Sequence, residues 1–501
     1  MSIKKFNKAS LAMAVAGALA ASSAQAVNIA EDGLGDFIFG QYYTVRDGWN
    51  TYINVTNTSE ETVVFKIRFR ELYNSRDVRD FNVILSPYDV WTAALVDNGD
   101  VARLVTNDRS CTSPLTVRDN GIDFTNAAYS GAAWDGGPED LERTTEGYFE
   151  IINMGQDADQ TLGDNHSQLA ADALHVNGEP VNCVGASNAF AAGNIAQVQA
   201  DFDEPENSLK VNVALINVDD GMGISYEPIT FANFFNPAIG NPSDQLSTAD
   251  LIFPPSSANP HYGHVNPNTS EVRMPMVGAN MLSNWTIPGD AVSAVLMRNA
   301  AINQYRSDTS DPAADTDWVV TFPTKWGYVD LANLLSPVVN PFVEYFDGES
   351  CVTAFYNHWD REERSPEALI EVQPSPYVPG ESTELCHEVN VIEFGAGVVA
   401  GQDTYMAETP YTEGWTRLDV GLDFDGTGAL INEMVDNNGV LYQGLPMIGI
   451  AVSNLDNPIV ENAQYGFAWN HSYTRSIIGD LAVNYTTNGL VAGAVSTTSA
   501  P

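Results

Sequence analysis

The sequence predicts a mainly β fold, built as a multi-domain β-sandwich of immunoglobulin-like or jelly-roll-like type, with long loops and a few short helices. Two observations support this prediction. Short runs of β-branched and aromatic residues recur along the chain and are separated by turn residues, without the alternating helical segments of an α/β protein. Hydrophobic residues make up 44% of the chain and charged residues 17%, which is typical of a folded protein and not of a disordered acidic one.

Residues 1–26 have the pattern of an export signal. A basic start with Lys4, Lys5 and Lys8 precedes an apolar stretch from Leu11 to Ala21, and the segment ends on small residues at Ala26. No later run approaches the roughly 18 apolar residues that a membrane-spanning helix needs. We therefore expect an exported protein without a membrane span, located outside the cell or on the cell surface, with the periplasm as an alternative.

Residues 27–110 are predicted to form an immunoglobulin-like sandwich. The segment Thr62 to Arg70 alternates, and its two faces carry Val63, Phe65, Ile67 and Phe69 on one side and Lys66, Arg68 and Arg70 on the other. A period of two indicates a strand that is buried on one face and exposed on the other. Further strands are predicted at Asp80 to Leu85 and Val90 to Leu95, and Asp97, Asn98 and Gly99 form a turn signal.

The remaining chain is divided into three predicted regions. Residues 111–335 form an irregular β-rich middle region, residues 336–485 a C-terminal β-sandwich, and residues 486–501 a Thr- and Ser-containing mobile tail. Two Ala-rich segments in the middle region, Gln168 to Val176 and Ala186 to Gln199, are predicted as short helices, and the Pro- and Asn-rich stretch from Asn236 to Asn268 as a long surface loop or a domain boundary.

Four cysteines lie in two separated pairs, and an even number is typical of disulfides in an oxidising compartment. Four cysteines allow three connectivities, of which pairing nearest in sequence is the simplest. We predict the disulfides Cys111–Cys183 and Cys351–Cys386. A zinc site is the weaker alternative, because the sequence has no CxxC motif.

The formal net charge is −43, with 22 Lys and Arg against 65 Asp and Glu. Beyond the predicted signal, the lysines are Lys66, Lys210 and Lys325. Such an acidic chain repels phosphate backbones, so nucleic acid is excluded as a partner. Repulsion between surface carboxylates requires screening by salt or by bound cations. The expected cofactor is Ca²⁺ or none, and the alternative to Ca²⁺ is adaptation to saline surroundings.

The best metal candidate comprises Asp419, Asp423, Asp425 and Glu433, on a loop that also contains Gly426 and Gly428. Ca²⁺ prefers several flexible oxygen ligands, which this loop could supply. The spacing does not match an EF-hand, and the alternative interpretation is an acidic turn between two strands.

Exposed tryptophans would favour carbohydrate binding, because flat rings stack on sugar faces. Trp49, Trp134 and Trp359 are flanked by Asp, Gly or His and are predicted to be exposed, and we single out Trp134 and Trp359 as ligand-binding residues. Trp91, Trp318 and Trp469 lie in strand patterns and are predicted to be core residues.

Catalytic signatures are weak. The stretch His358 to Arg364 contains three carboxylates that could serve glycoside hydrolysis, but its arginines favour simple ion pairs. His261 and His264 lie three apart, yet HExxH and GxSxG are both missing from the sequence. The sequence gives no reason to propose an enzyme.

Four segments together resemble a group of exported, uncharacterised bacterial proteins of cell-surface type with an immunoglobulin-like N-terminal region. They are Asn54 to Glu71, Asp77 to Ala93, Asp317 to Lys325 and Cys386 to Gly395. The group has no established activity, so the resemblance implies export and a β-rich fold and transfers no catalytic residue.

From these observations we expect an exported, non-enzymatic structural or adhesive protein of the cell surface or extracellular matrix, whose partners are further copies of itself or surface polysaccharide. The alternatives are a secreted carbohydrate-binding protein and a glycan hydrolase.

Overall fold

A computed structural model describes most of the chain after the predicted signal. The described residues are 26–157, 167–235, 251–265, 268–274, 279–310, 312–337, 340–342, 344–365, 382–399, 401–409, 411–421, 432–456, 464–479, 485–486 and 495–498. Strands account for 48% and helices for 12%, which confirms the mainly β fold class. Among the described residues, no helix has the length and apolar character needed to cross a membrane.

The first half of the chain contributes sixteen described strands. They are β1 (Asn28–Ile29), β2 (Phe37–Thr44), β3 (Trp49–Asn57), β4 (Val63–Glu71), β5 (Asp77–Leu85), β6 (Val90–Asp97), β7 (Ala102–Val105), β8 (Cys111–Ser113), β9 (Ile122–Asp123), β10 (Glu146–Asp157), β11 (His175–Val176), β12 (Glu179–Pro180), β13 (Phe202–Asp203), β14 (Leu209–Asn217), β15 (Met222–Tyr226) and β16 (Ile229–Ala232).

The second half contributes nineteen described strands. They are β17 (Thr269–Met274), β18 (Ala279–Asn284), β19 (Met297–Arg298), β20 (Ala300–Asp308), β21 (Ala314–Thr321), β22 (Val352–Asp360), β23 (Ser382–Leu385), β24 (Val389–Phe394), β25 (Thr404–Met406), β26 (Glu413–Val420), β27 (Glu433–Val435), β28 (Leu441–Gln443), β29 (Leu445–Pro446), β30 (Ile448–Asp456), β31 (Gln464–Asn470), β32 (Ser472–Thr474), β33 (Ser476–Gly479), β34 (Tyr485–Thr486) and β35 (Val495–Thr498).

The described helices are short. They are α1 (Thr116–Asn120), α2 (Gln168–Ala173), α3 (Cys183–Asn188), α4 (Ile195–Asp201), α5 (Pro288–Leu296) and α6 (Trp326–Val329), with 3₁₀ turns at Gly131–Ala133, Glu142–Thr144 and Tyr262–His264.

The first sandwich has two antiparallel layers. One runs in the order β1-β16-β2-β10-β4-β5-β8, with β13 on β10, and the other in the order β15-β14-β3-β6-β7-β9. Its strands extend from residue 28 to residue 232, so the boundary predicted near residue 110 falls inside the sandwich. Long-range pairing causes this difference, because β10 inserts between β2 and β4 and β14 pairs with β3.

The second sandwich also has two layers, β23-β22-β26-β20-β32 and β25-β24-β21-β30-β31, which are joined where β20 turns into β21. The strands are antiparallel except for the β24–β25 pair. Aromatic side chains fill the space between the layers, for example Tyr305 and Trp318, which both contact Phe394. Here too, β20 and β21 lie before the boundary predicted at residue 335.

The two sandwiches share one hydrophobic core that extends from Val27 to Ile477. Hydrogen bonds cross the junction between them. Thr321 donates to the carbonyl of Gln41 over 2.8 Å, and the indole N–H of Trp49 donates to the carbonyl of Val398 over 3.1 Å. Trp49 is 2% exposed, so its predicted exposure is wrong, because the second sandwich covers it.

Both predicted disulfides are present. Cys111–Cys183 joins β8 to α3 at the centre of a satellite apolar cluster, and Cys351–Cys386 joins the segment before β22 to the segment after β23. Disulfides form and persist in oxidising compartments, so these two indicate an oxidising, exported environment.

Strand β4 departs from the prediction of one exposed face, because all nine of its residues are buried. The segment 251–265 covers the cationic face. The ammonium of Lys66 donates to the carbonyls of Pro254 and Pro255, and the guanidinium of Arg68 donates to those of Ala258 and Pro260. A proline has a carbonyl but no N–H, so this Pro-rich segment offers mainly acceptors to the buried cations.

Candidate functional site

A row of exposed aromatic side chains lies on β31, the outer strand of its layer. Tyr465, Phe467 and Trp469 are 49%, 43% and 48% exposed and alternate with less exposed residues. The opposite face of the strand packs on the first sandwich, where a Cβ on Gly466 would lie 2.5 Å from Ile224 of β15. Glycine at this position therefore permits close approach of the two sandwiches, which leaves the aromatic face pointing away from the packed side.

Two rings of this aromatic row lie parallel to each other. Phe467 and Trp469 have ring planes 7° apart and centroids separated by 5.8 Å. Amide side chains lie alongside, since Asn303 donates to the carbonyl of Trp469 over 3.4 Å and Asn470 donates to the carbonyl of Glu227 over 3.0 Å. Exposed, parallel rings flanked by hydrogen-bonding groups can contact a molecule that carries both C–H groups and hydroxyls.

The prediction that Trp469 belongs to the core is wrong. The strand pattern around Trp469 is confirmed, but β31 lies at the edge of its layer, and the face that carries Trp469 is exposed. Trp91 and Trp318, predicted as core in the same way, are fully buried.

The two tryptophans predicted to bind a ligand lie in different surroundings. Trp134 is 58% exposed, and its indole N–H donates to the carbonyl of Gly137 over 2.8 Å. Trp359 is half-buried and stacks on Trp415 of the neighbouring strand, with ring centroids 4.1 Å apart and planes 10° apart. One face of Trp359 is therefore already occupied by a protein ring, and its availability to a ligand stays a prediction.

The predicted calcium loop is only partly described. Asp423 and Asp425 lie outside the described residues. Asp419 accepts hydrogen bonds from Arg417 on one oxygen and from Asn357 on the other, both over 2.8 Å, and Glu433 begins β27. Within the described part of the chain, one group of residues has potential metal ligands close together, namely Glu349, Cys351 and Cys386. The two cysteines of this group form a disulfide with each other. The calcium site stays a prediction.

The two motifs considered for catalysis form structural contacts. Asp360 accepts from the guanidinium of Arg364 over 2.5 Å, and His358 points inward to Thr416. His261 and His264 cap a 3₁₀ turn, in which the Nδ1 of His261 accepts from the backbone N–H of Gly263. Burial lowers the pKa of His261 to about 3, so it is neutral at pH 7.

A second feature is a partly open cavity of about 550 Å³ at the junction of the two sandwiches. Its wall combines the β4–β5 region, the end of the covering segment and the residues after α6. The lining residues on which the chemistry depends are Arg68, Arg70, Arg76, Asp77, Trp326 and Asp330. We refer to it below as the arginine cavity.

The guanidinium groups of the arginine cavity are held in place by carboxylates. Arg70 donates to Glu150 over 2.6 Å and to the carbonyl of Ser75, and it lies 4.6 Å from the ring centre of Trp326. Arg76 donates to Asp330 over 2.8 Å and to a backbone carbonyl. The indole N–H of Trp326 has no hydrogen-bond partner among the described residues.

Few features of the sequence predict the arginine cavity. The arginines of β4 were recognised as one face of a strand, but the residues that enclose them lie about 190 and 255 positions further along the chain. The cation content was the one available signal, since Arg68, Arg70 and Arg76 form a dense cationic group in a chain with net charge −43.

No protein-family profile matches this chain, and no curated protein sequence matches it significantly.

Proposed function

We propose that this chain is an exported, non-enzymatic adhesive protein of the cell surface or extracellular matrix, and that it binds polysaccharide through the aromatic row Tyr465, Phe467 and Trp469. The observation that carries the proposal is the exposure of three aromatic side chains along one strand, two of them with parallel rings. Large exposed aromatic side chains are characteristic of interaction sites on soluble proteins.

Polysaccharide is favoured as the partner by two further properties. The C–H groups on a pyranose face are weakly positive and pack on the negative face of an aromatic ring. The acidic surface repels anionic partners, which favours a neutral glycan over nucleic acid or an anionic lipid surface. Export is supported by the signal-like N-terminal segment and by the two disulfides.

The test is affinity electrophoresis of the disulfide-intact protein in gels that contain single neutral polysaccharides, followed by titration calorimetry with the oligosaccharide of any retarding glycan. The variants Phe467→Ala and Trp469→Ala should each weaken binding by about 10-fold, because each removes one stacking surface. Trp134→Ala is the matched control, since Trp134 is 58% exposed, against 48% for Trp469, but lies outside the row.

Two results would contradict the proposal. One is failure of every neutral glycan to retard the wild-type protein. The other is an equal loss of binding in Trp134→Ala and Trp469→Ala, which would place glycan contact outside the aromatic row.

A further inference from the structure

We infer that the arginine cavity is a binding site for a small acidic sugar, meaning a molecule of monosaccharide size that carries a carboxylate or phosphate together with several hydroxyls. The inference rests on the junction between the two sandwiches and is independent of the aromatic row. The two sites share no residue.

Unused guanidinium donors provide the recognition of an anionic group. A guanidinium carries five N–H groups. Arg70 donates from Nε and one terminal nitrogen, and Arg76 donates from its two terminal nitrogens. Both side chains line the cavity, and these hydrogen bonds use fewer than the five N–H groups of each guanidinium. The Nε of Arg76 also lies 3.6 Å from a carboxylate oxygen of Asp135. The planar fork of arginine matches carboxylate and phosphate oxygens in pairs, so these donors favour an oxyanion.

Arg68 has a different role. It is 1% exposed and donates to Glu150 and to the carbonyls of Ala258 and Pro260. These contacts fix the covering segment that closes one side of the cavity. Arg76, by contrast, is 12% exposed in its side chain and lies where a ligand can reach it.

The carboxylates in the lining of the cavity suit hydroxyls. Asp77 and Asp330 are acceptors that also pair with the arginines, and Asn333 donates to Asp330 over 2.7 Å. A molecule that was only an anion would meet repulsion from these two carboxylates, whereas sugar hydroxyls donate to them. The volume of about 550 Å³ lies within the range of roughly 300 to 1,000 Å³ that is typical of small-molecule sites.

The experiment is isothermal titration of the full exported chain with glucuronate, galacturonate and glucose 6-phosphate, and with glucose, acetate and inorganic phosphate as comparisons. We expect saturable one-to-one binding of at least one acidic sugar, and binding at least 10-fold weaker for glucose, acetate and phosphate. The three acidic sugars distinguish a carboxylate from a phosphate ligand.

Two variants test the location of the site. Arg76→Gln should weaken binding of the acidic sugar by 10-fold or more, because it removes a guanidinium that lines the cavity. Ala332→Trp, which places a large side chain at an exposed position of the lining, should weaken binding without removing a charge. Arg103→Gln is the matched control, since Arg103 is a partly exposed cation paired with Asp123 away from the cavity.

The inference is overturned if no acidic sugar binds. It is also overturned if acetate or phosphate binds as tightly as the sugars, or if binding survives in both Arg76→Gln and Ala332→Trp. The melting temperature of each variant shows whether it folds normally. If Arg76→Gln has a folding defect, the binding measured for Ala332→Trp tests the location of the site instead. Trp469→Ala should leave acidic-sugar binding unchanged, which separates this site from the proposed polysaccharide surface.

Discussion

At the scale of single residues, buried charged side chains stabilise the junction of the two sandwiches. The free energy that each one contributes depends on its contacts. Glu71 at the end of β4 is the centre of one such group. Its carboxylate receives two hydrogen bonds from Arg143, over 2.7 and 2.9 Å, and it also accepts from the backbone N–H groups of Tyr73, Asn74 and Arg76. One side chain thereby fixes the turn that leads into β5 and orients the rim of the arginine cavity.

Removal of one partner from this buried pair should be costly. We expect Arg143→Leu to lower the free energy of unfolding by about 3–5 kcal/mol, because Glu71, which is fully buried, would lose its compensating charge. Arg103→Leu breaks the partly exposed pair with Asp123 and should cost less than about 1 kcal/mol. Denaturant titration measures both values. Equal losses of unfolding free energy in the two variants would show that burial does not determine how much a broken ion pair destabilises the protein.

Glu388 gives a prediction about pH. Burial raises the pKa of this carboxyl from 4.5 to about 8, with Lys325 acting in the opposite direction. Between these pH values the unfolded chain has lost a proton that the folded protein keeps. This group therefore stabilises the fold fully below pH 4.5, and its contribution is lost as the pH rises towards 8.

The variant Glu388→Gln carries no titrating proton at this position. Its free energy of unfolding should fall less steeply than that of the wild type between pH 5 and pH 8, by up to about 1.4 kcal/mol per pH unit. The exposed Glu384→Gln is the control and should retain the wild-type slope. Parallel slopes for the wild type and Glu388→Gln would show that Glu388 is ionised in the folded protein.

At the scale of elements, the two disulfides differ in the length of chain that they close. Cys111–Cys183 has a sequence separation of 72 and Cys351–Cys386 one of 35. A longer loop loses more conformational freedom in the unfolded chain when it is closed, by about 0.6 kcal/mol for each doubling. The first disulfide also anchors the helices α2, α3 and α4, which form a satellite cluster apart from the main core.

Replacement of Cys111 and Cys183 by alanine should therefore destabilise the protein by about 4 kcal/mol, and more than the same replacement of Cys351 and Cys386. Hydrogen exchange should show increased opening within residues 168–201 in the first variant and not in the second. Unchanged protection of these helices would mean that apolar packing alone holds them.

Elements also show what sequence patterns can and cannot predict. The alternation of β4 correctly identified a strand, and the cysteine pairs were predicted correctly. Burial of Lys66 and Arg68 could not be predicted, because the covering carbonyls lie 188 to 192 residues away. The exposure of Trp469 was missed for the related reason that a strand's position in its sheet depends on pairing between distant segments.

At the scale of the whole molecule, the charge distribution is uneven. The chain has a net charge of −43, yet two of the three lysines beyond the predicted signal, Lys66 and Lys325, are buried. Arg68, Arg70 and Arg143 are buried as well, so fewer cations remain on the outer surface to balance its carboxylates. Mutual repulsion on that surface should destabilise the fold at low ionic strength, where the screening length is about 30 Å, and much less at 0.15 M, where it is about 8 Å.

This repulsion allows a test that separates screening from specific calcium binding. The melting temperature should rise with NaCl. If the predicted loop with Asp423 and Asp425 binds Ca²⁺, CaCl₂ should raise the melting temperature further than MgCl₂ at the same ionic strength, by the equivalent of about 2.7 kcal/mol at a 100-fold excess over Kd.

Asp423→Asn combined with Asp425→Asn should abolish the difference between the two cations and leave the effect of NaCl in place. Asp219→Asn combined with Asp220→Asn, in the β14–β15 turn, is the control and should preserve the difference. Because the oxygens of Asp419 already accept from Arg417 and Asn357, a calcium effect would require the loop to supply most of the ligands itself. Equal melting temperatures in CaCl₂ and MgCl₂ would instead show that these salts stabilise the protein by general screening of its surface carboxylates.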